Sequence, residues 1–510
     1  MKTKIFIMVL AFVAGTAQAQ SLKGLVNKAK EVTGKVAGTT AKGTQKTATT
    51  ASGTVQNSTV PKGTGQGGNT HSYIDPAFNT GDARDLSLYA NKFMDYKTTA
   101  NTKTITVDTY SGMELSYYSE NRAFVWIPLK GIICIDEKGN QLKSWARGTV
   151  RDMESGFANG REPRFNSGRI MVTENNGTTK DAVIYDKNFR EIKRFPKVER
   201  ATFFAAGVAA YVYKKNEGMS LKYKTVFVDA AGNQVLKNIS DLFDKADRAV
   251  DINMMRDEHE GMVAFCAPDA STKKMLWGFR KVSGEIVVPP TYAKVQDFSN
   301  GLAAVASDGM PMKWGFIDKS GKMVIPQQFS IEPSKFDECG LAMVIDKSRK
   351  ACFVDRQGNI SNESFDRITP FFGGVAIWHE SKDPNALLLV DSKFNVLKLI
   401  DRRLIKYINP QQLYNDIYYC DYVSSRMGNV RPFGDYFYFK FDGLAKGCGG
   451  GLINVNLGYG VLNRQGNVVA AGVTGCFVNG LAPMFLDEYG YVGYVNTNRE
   501  WVVKFSVSRF

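Results

Sequence analysis

The feature that most limits the fold of this chain is an internal repeat. The run Trp277-Gly278-Phe279 returns 37 residues later as Trp314-Gly315-Phe316. Glycines follow the same interval, at Gly284, Gly321 and Gly358. A fixed period of this length indicates that one small unit of secondary structure is stacked against copies of itself, because such a unit cannot bury its apolar face alone.

A four-residue element at the centre of the repeat predicts a tight turn. Asp or Asn at its first position accepts backbone hydrogen bonds, and Gly at its fourth tolerates a positive φ. The runs that flank it are short and rich in aromatic and β-branched residues, which predicts strands. The nine copies start at Asp136, Asp186, Asp229, Lys281, Asp318, Asp355, Asp391, Asn463 and Asn496.

A second element precedes the turn in many copies and predicts a third strand. It consists of a phenylalanine, a glycine three or four residues later, and then Leu or Val followed by Ala. It occurs at Phe204, Phe298, Phe336, Phe371 and Phe477. We therefore expect an all-β fold of tandem repeats, each with about three short antiparallel strands. The intervals between turns are irregular, which favours an open curved array, with β-propeller-like closure as the alternative.

Two adjacent copies resemble the WG-repeat proteins, a family of bacterial tandem repeats. The resemblance is carried by Trp277-Gly278-Phe279 through Pro290 and by Trp314-Gly315-Phe316 through Pro326. It weakens elsewhere, since Ala351-Cys352 replaces the Trp-Gly pair in the next copy. With degenerate copies it covers roughly residues 120–400 and 440–505. The resemblance implies an all-β repeat fold and a role in binding or surface interaction, and it supplies no catalytic residue.

The first nineteen residues have the pattern of a secretory signal peptide. Lys2 and Lys4 precede an apolar run, and Ala17-Gln18-Ala19 offers a small-x-small cleavage site. We expect export by the Sec route and a mature chain that begins near Gln20, located in the periplasm, on the outer surface or secreted. No later run has the eighteen or more uncharged residues of a transmembrane helix, so no transmembrane segment is expected.

The remaining chain divides into five parts by composition. We expect a Thr/Gly/Lys-rich disordered linker at 20–70, because it has no aromatic residue with which to build a core. A lead-in segment at 71–119 precedes WG-like repeats at 120–400. The Tyr-rich stretch 401–450 is either a degenerate repeat or an insertion that serves as a recognition surface. Residues 451–510 hold the last WG-like repeats.

The net charge argues against nucleic-acid binding, and the cysteines indicate free thiols. The net charge is +15, and eight of these charges lie in Lys2, Lys4 and residues 21–70, so the folded part is only mildly basic and no nucleic-acid partner is expected. The seven cysteines are odd in number and form no CxxC pair. We expect most of them to be buried free thiols.

The sequence contains few groups suited to catalysis. There are three histidines, His71, His259 and His379, which we interpret as surface or strand residues. His259 lacks the second histidine of a zinc-protease helix. One carboxylate per turn is too few for calcium, which takes six to eight oxygens. The sequence thus singles out no catalytic, metal-ligating or ligand-binding residue and no cofactor.

The function that these observations favour is that of an exported, non-enzymatic binding or scaffolding protein. It would use its repeat surface for protein or glycan contacts at the bacterial envelope. The alternative is a secreted or periplasmic hydrolase acting on polysaccharide or peptide, with two carboxylates brought together from different repeats. The sequence leaves the oligomeric state open. Two structural expectations follow: Trp277 and Trp314 are buried in similar environments, and the turn glycines matter more than His259 or His379.

Overall fold

The chain folds almost entirely into β-strands. A computed structural model describes residues 96–109, 112–158, 162–251, 254–366, 368–379, 387–400, 436–446, 452–486 and 491–507. These residues form 31 strands and two helices, so the predicted all-β class is confirmed. They lie in one compact unit, Ser58–Phe510. The predicted signal peptide, the linker and residues 401–435 of the Tyr-rich stretch lie outside the described residues.

The strands pair into nine small sheets within the described residues, and in chain order each sheet follows the previous one. The first strand of the chain is β1 (Lys103–Val107). Sheet one contains β2 (Glu114–Leu115), β3 (Arg122–Ile127), β4 (Gly131–Asp136) and β5 (Gln141–Ala146). Sheet two contains β6 (Arg169–Asn176), β7 (Thr179–Asp186) and β8 (Glu191–Phe195). Sheet three contains β9 (Arg200–Ala201), β10 (Ala209–Glu217), β11 (Ser220–Val228) and β12 (Gln234–Val235).

Sheets four to six hold the clearest repeats. Sheet four contains β13 (Met255–His259), β14 (Met262–Pro268), β15 (Met275–Lys281) and β16 (Ile286–Tyr292). Sheet five contains β17 (Lys294–Val295), β18 (Leu302–Ala306), β19 (Trp314–Asp318) and β20 (Met323–Phe329). Sheet six contains β21 (Leu341–Ile345) and β22 (Ala351–Asp355). Neighbouring strands within these sheets are antiparallel.

The last three sheets follow the same plan. Sheet seven contains β23 (Val375–His379), β24 (Leu387–Asp391) and β25 (Val396–Ile400). Sheet eight contains β26 (Tyr436–Lys446), β27 (Leu452–Asn463) and β28 (Val468–Val473), so the end of the Tyr-rich stretch is a strand. Sheet nine contains β29 (Leu481–Leu486), β30 (Tyr491–Asn496) and β31 (Trp501–Val507). Strand β1 joins sheet nine by pairing parallel to β31.

The predicted turns are present at all nine positions. The Asp136 carboxylate accepts the N–H groups of Lys138 and Asn140, and the Asp136 carbonyl accepts the N–H of Gly139. The same side-chain bonds occur at Asp186, Asp229, Asp318, Asp355, Asp391, Asn463 and Asn496. At Lys281 the backbone bond from Gly284 closes the turn. The fourth residue has a positive φ in every copy, which confirms the turn prediction.

The phenylalanine element is also confirmed, and it occurs once more than the sequence analysis found. The five predicted phenylalanines are all buried. The additional copy is Phe165 with Gly168, before sheet two. Phe165 is buried and stacks on Phe124 of sheet one, with ring centroids 5.8 Å apart. Each phenylalanine therefore fills the space between two sheets.

The nine sheets close into a ring, because the last packs against the first. Apolar cores join sheets one to seven in succession, and a further core joins sheet eight to sheet nine. Sheets seven and eight meet where Lys398 Nζ donates to Asn467 Oδ1. The final core combines Val125 of sheet one with Tyr494 of sheet nine. The propeller-like closure that we gave as the alternative is therefore the arrangement observed, and the favoured open array is not.

The irregular turn spacing that favoured an open array has a local explanation. Helix α1 (Arg151–Ala158) lies between sheets one and two, and helix α2 (Lys237–Ala246) follows sheet three. Buried Phe157 and Phe243 pack these helices into the cores between neighbouring sheets. The intervals from Asp136 to Asp186 and from Asp229 to Lys281 thus each contain an added helix, which lengthens the repeat without opening the ring.

The predicted burial is observed for Trp314 and for four of the five described cysteines, but only in part for Trp277. Trp314 is buried as expected, whereas Trp277 is only half-buried, so the prediction of similar environments is wrong for Trp277. The five described cysteines are free thiols, and four of them are buried: Cys134, Cys266, Cys352 and Cys476. Burial raises the pKa of the Cys134 thiol well above its usual value.

Candidate functional site

The first strand of sheet four and the segment that leads into sheet two face the centre of the ring. Arg164 leads into sheet two, and its Nη1 lies 3.2 Å from Oδ2 of Asp257 in sheet four. Asn166 Nδ2 donates to Asp257 Oδ1 at 3.1 Å. These contacts pass over sheet three, so sheets that are not neighbours meet there. We call the edge formed by the first strands the inner edge.

Four ionisable side chains meet at the inner edge of sheets four to six. Arg256 and His259 lie on β13, Asp297 lies two residues after the end of β17, and Lys335 lies between β20 and β21. Asp297 Oδ1 lies 3.3 Å from Arg256 Nη1. Asp297 Oδ2 lies 3.4 Å from His259 Nε2 and 3.3 Å from Lys335 Nζ. We call these four residues the inner-edge ion cluster.

Asp297 is the anchor of the inner-edge ion cluster. Burial alone would raise the pKa of its carboxyl group, but the positive charges of Lys335, Arg256 and His259 hold this pKa well below its usual value. The carboxylate is thus ionised at any physiological pH, and it cannot deliver a proton as a general acid. Its chemical role is to join residues from three successive sheets.

A stacked pair lies next to this anchor. The Arg256 guanidinium carbon lies 4.5 Å from the centroid of the Trp277 ring, and Arg256 Nη1 also donates to the Val295 carbonyl at 3.1 Å. A planar cation on an aromatic face is a favourable contact. Because Trp277 is half-buried, Arg256 covers part of the ring that would otherwise face solvent.

A second set of polar side chains joins neighbouring sheets near the glycine of the phenylalanine element. In each case a side-chain oxygen accepts the backbone N–H of that glycine from the next sheet, at 2.8–3.0 Å. We call these bonds the turn straps. They connect Glu120 to Gly168, Asn166 to Gly207, Glu260 to Gly301, and Asp337 to Gly374.

Two glutamates near the start of sheets one and two have a different environment. Glu162 is half-buried, and its Oε2 accepts the Tyr117 N–H at 3.0 Å. Burial, with a contribution from the charge of Glu114, raises the pKa of Glu162 to about 8. Burial also raises the pKa of Glu114. With a pKa of about 8, the Glu162 carboxyl group is protonated at neutral pH, as a general acid must be.

The prediction that the histidines are surface or strand residues holds only in part. His259 ends β13 as a strand residue, but it is buried, with its Nε2 3.4 Å from Asp297 Oδ2, and is therefore not a surface residue. His379 is the last residue of β23, and His71 lies outside the described residues. The inner-edge ion cluster was missed because its first strands are too short to show a periodic pattern. In the described ranges, no three or more His, Cys, Asp or Glu side chains are placed to hold a metal ion.

Neither α1 nor α2, the helices of the described part of the chain, has the length and apolarity to cross a membrane.

Comparison with known proteins supports the repeat class. The model of the WG containing repeat family matches residues 277–310 and 314–344, so the resemblance is confirmed for the two best copies. No curated protein sequence matches the chain.

Solved structures show only distant likeness. BamB from Moraxella catarrhalis is 8% identical, with a TM-score of 0.25, over 61% of this chain and 86% of that one. Hsv2p from Kluyveromyces lactis has 8% identity and the same TM-score, over 56% of this chain and 94% of that one. Prolyl oligopeptidase B from Galerina marginata has 10% identity and a TM-score of 0.28, over 74% and 58%. Scores this low carry no functional argument.

Proposed function

We propose that this chain is an exported, non-enzymatic binding or scaffolding protein that uses the surface of its repeat ring for protein or glycan contacts at the bacterial envelope. Export rests on the signal-peptide pattern of residues 1–19. The binding role rests on the repeat class, since ring-shaped repeats present several similar loops on a rigid frame.

One observation carries this proposal: carboxylates that could serve a hydrolase are used to join sheets. Asp297 binds cations from sheets four and six. Both carboxylate oxygens of Glu260 accept backbone N–H groups of sheet five, and those of Asp337 accept N–H groups of sheet seven. A carboxylate engaged in this way has a structural role, which supports a scaffold more than a catalyst.

The test is affinity capture from envelope extract with the mature chain as bait. We expect retention of a discrete envelope protein or glycan, which persists when His259→Gln or Glu162→Gln is used instead. Captured material should keep its covalent structure when it is recovered. Cleavage of the captured peptide or polysaccharide by the wild-type chain, lost in a folded variant, would contradict the non-enzymatic role.

The second candidate is a hydrolase acting on polysaccharide or peptide, and Glu162 is the observation that favours it. Its raised pKa makes it the described carboxyl group best suited to protonate a leaving group, with Glu114 as the nearby second carboxylate. In that case Glu162→Gln would abolish turnover while circular dichroism stays unchanged. A Glu137→Gln variant, which changes an exposed carboxylate of sheet one, is the matched control.

A further inference from the structure

The ring has two faces that differ in chemistry. The turn straps connect the phenylalanine-glycine turns of successive sheets, so these turns lie together on one face. The hairpin loops β3–β4, β6–β7, β10–β11, β14–β15, β18–β19 and β21–β22 lie at the other end of the same strands, and therefore on the opposite face. Lys274 Nζ and Asp308 Oδ2, 2.7 Å apart, connect two of these loops. We call this side the loop face.

Large apolar side chains stand exposed at the tips of three of these loops. Met219 at the end of the β10–β11 hairpin is fully exposed, and Met310 between β18 and β19 is 96% exposed. Leu129 between β3 and β4 is 77% exposed. The three residues belong to sheets one, three and five, so the apolar tips are spread over a broad part of the loop face.

Positive charge accompanies these tips. Six described loops of this face contain twelve Lys or Arg residues against four Asp or Glu residues; they are 128–130, 176–180, 214–224, 269–274, 307–313 and 346–350. Six of the twelve lie within 3.5 Å of a carboxylate oxygen; they are Lys130, Lys180, Lys214, Lys224, Lys274 and Lys350. The β10–β11 hairpin alone has four lysines and one glutamate, and Lys215 lies opposite Lys222 in its ladder. The turns of the other face carry acidic residues such as Glu120, Asp229 and Glu260 together with basic residues such as Lys138, Arg190 and Lys319, so neither sign dominates there.

We propose that the loop face docks the ring onto an anionic phospholipid surface. The lysines lie against the headgroups, and Met219, Met310 and Leu129 insert into the apolar layer below them. Exposed apolar tips are stabilised when they leave water, and each nearby lysine adds attraction to a negatively charged leaflet. An acidic protein could pair with the lysines, but pairing of charges does not explain why apolar side chains are exposed at the tips of three separate loops.

Vesicle sedimentation with the mature chain tests this proposal. We expect binding to vesicles of phosphatidylcholine with about one quarter phosphatidylglycerol, little binding to phosphatidylcholine alone, and loss of binding at high salt. The double variant Met219→Ser with Met310→Ser should weaken binding by at least about tenfold. The control Leu397→Ser removes an exposed apolar side chain from the outer strand of sheet seven and should bind as wild type does.

A charge reversal provides the second arm. Lys215→Glu with Lys222→Glu should reduce binding to the anionic vesicles by at least about tenfold. Lys138→Glu with Lys393→Glu makes the same change in net charge on turns of the other face and should have little effect. Comparison within the full chain ensures that any contribution of residues 20–95 is the same in all variants.

Insertion is measured separately by fluorescence. A tryptophan introduced as Met219→Trp should show a blue shift when the anionic vesicles are added. Absence of wild-type binding, retention of binding by the double methionine variant, or an unshifted Met219→Trp spectrum would each overturn the proposal. Binding to immobilised polyglutamate without binding to vesicles would also overturn it, in favour of an acidic protein partner. None of these results depends on whether an envelope protein or glycan is captured.

Discussion

Gly139 in the first sheet lies directly against Val503 in the last, and a β-carbon on Gly139 would be only 2.7 Å from Val503 Cγ2. The same relationship recurs between successive sheets, where a turn glycine lies on the outer strand of the sheet before it. The pairs are Gly232 with Lys193, Gly284 with Leu236, Gly321 with Val288, Gly358 with Ile325, and Gly466 with Lys398. Sheet one therefore contacts sheet nine in the same way as each of these later sheets contacts the sheet before it.

Replacing Gly139 should weaken the junction between the first and last sheets. Gly139→Ala is expected to lower the free energy of unfolding by about 2–4 kcal/mol, from the positive φ together with the clash with Val503. Gly177→Ala is the matched control, because Gly177 has a similar positive φ and no atom within 4 Å of an added β-carbon. Its expected loss is about 1 kcal/mol. Equal losses in urea unfolding would show that the junction does not contribute.

The turn glycines of two adjacent repeats, Gly321 and Gly358, should differ from each other in their effect on stability. A β-carbon would lie 2.8 Å from Val288 at Gly321, but 3.6 Å from Ile325 at Gly358. Gly321→Ala should therefore reduce the melting temperature more than Gly358→Ala, although both have a positive φ near 90°. Both should reduce it more than His379→Gln. A ranking in which the histidine variant is the least stable would contradict the structural role of these turns.

Removal of the anchor of the inner-edge ion cluster should be costly. Asp297→Asn leaves Arg256 and Lys335 close together without their shared carboxylate, and the expected loss in the free energy of unfolding is about 3 kcal/mol. Asp308→Asn, which breaks an exposed pair with Lys274, should remain close to wild type. Equilibrium unfolding of the two variants makes the comparison.

The contribution of Asp297 should also depend on pH. Its pKa is lower in the folded chain than in the unfolded chain, where an aspartate has a pKa of about 3.9. The unfolded state therefore binds the proton first as the pH falls, and the stabilisation is lost in acid. The difference in stability between wild type and Asp297→Asn should be constant above about pH 5 and shrink below it. A difference that grows in acid would be inconsistent with the lowered pKa.

Glu162 should give the opposite pH profile. Its pKa is raised to about 8 in the folded chain, against about 4.3 when unfolded, so the folded state holds the proton between these values. Stability should fall as the pH rises through this window. Glu162→Gln should match wild type near pH 4 and be more stable by about 1–3 kcal/mol at pH 9. The exposed Glu137→Gln variant should show no such growth, and a parallel profile for Glu162→Gln would refute the raised pKa.

The parts of the fold that the sequence predicts are those with local causes. An aspartate that bonds the backbone two and four residues ahead, as at Asp318, needs no distant partner, so its turn is visible in the sequence. Turns without glycine, as at Phe189, were found because the first-position aspartate and flanking strands remain. The buried phenylalanines are visible for a similar reason, since their glycine lies a few residues away.

Ring closure and the candidate site depend on contacts that no local pattern records. Tyr494 Oη donates to the Ser116 carbonyl across 378 residues of chain. The ion cluster joins Arg256 to Asp297 across 41 residues, on first strands of only two to five residues. Repetition in the sequence indicates that the sheets stack. Whether the stack closes into a ring depends on the summed rotations between neighbouring sheets, which the sequence does not record. Added segments such as α1 and α2 also obscure the period of the repeat.

Closure of the ring between sheets one and nine can be tested by the exchange rate of a single backbone N–H. The Cys476 N–H in the segment before sheet nine donates to the Tyr117 hydroxyl next to sheet one at 3.0 Å, whereas the Phe477 N–H donates to the Tyr438 hydroxyl of sheet eight at 2.7 Å. Hydrogen–deuterium exchange of the Tyr117→Phe variant should show faster exchange at Cys476 than in wild type, with Phe477 little changed. Unchanged exchange at Cys476 would contradict a ring in which the first and last sheets are joined.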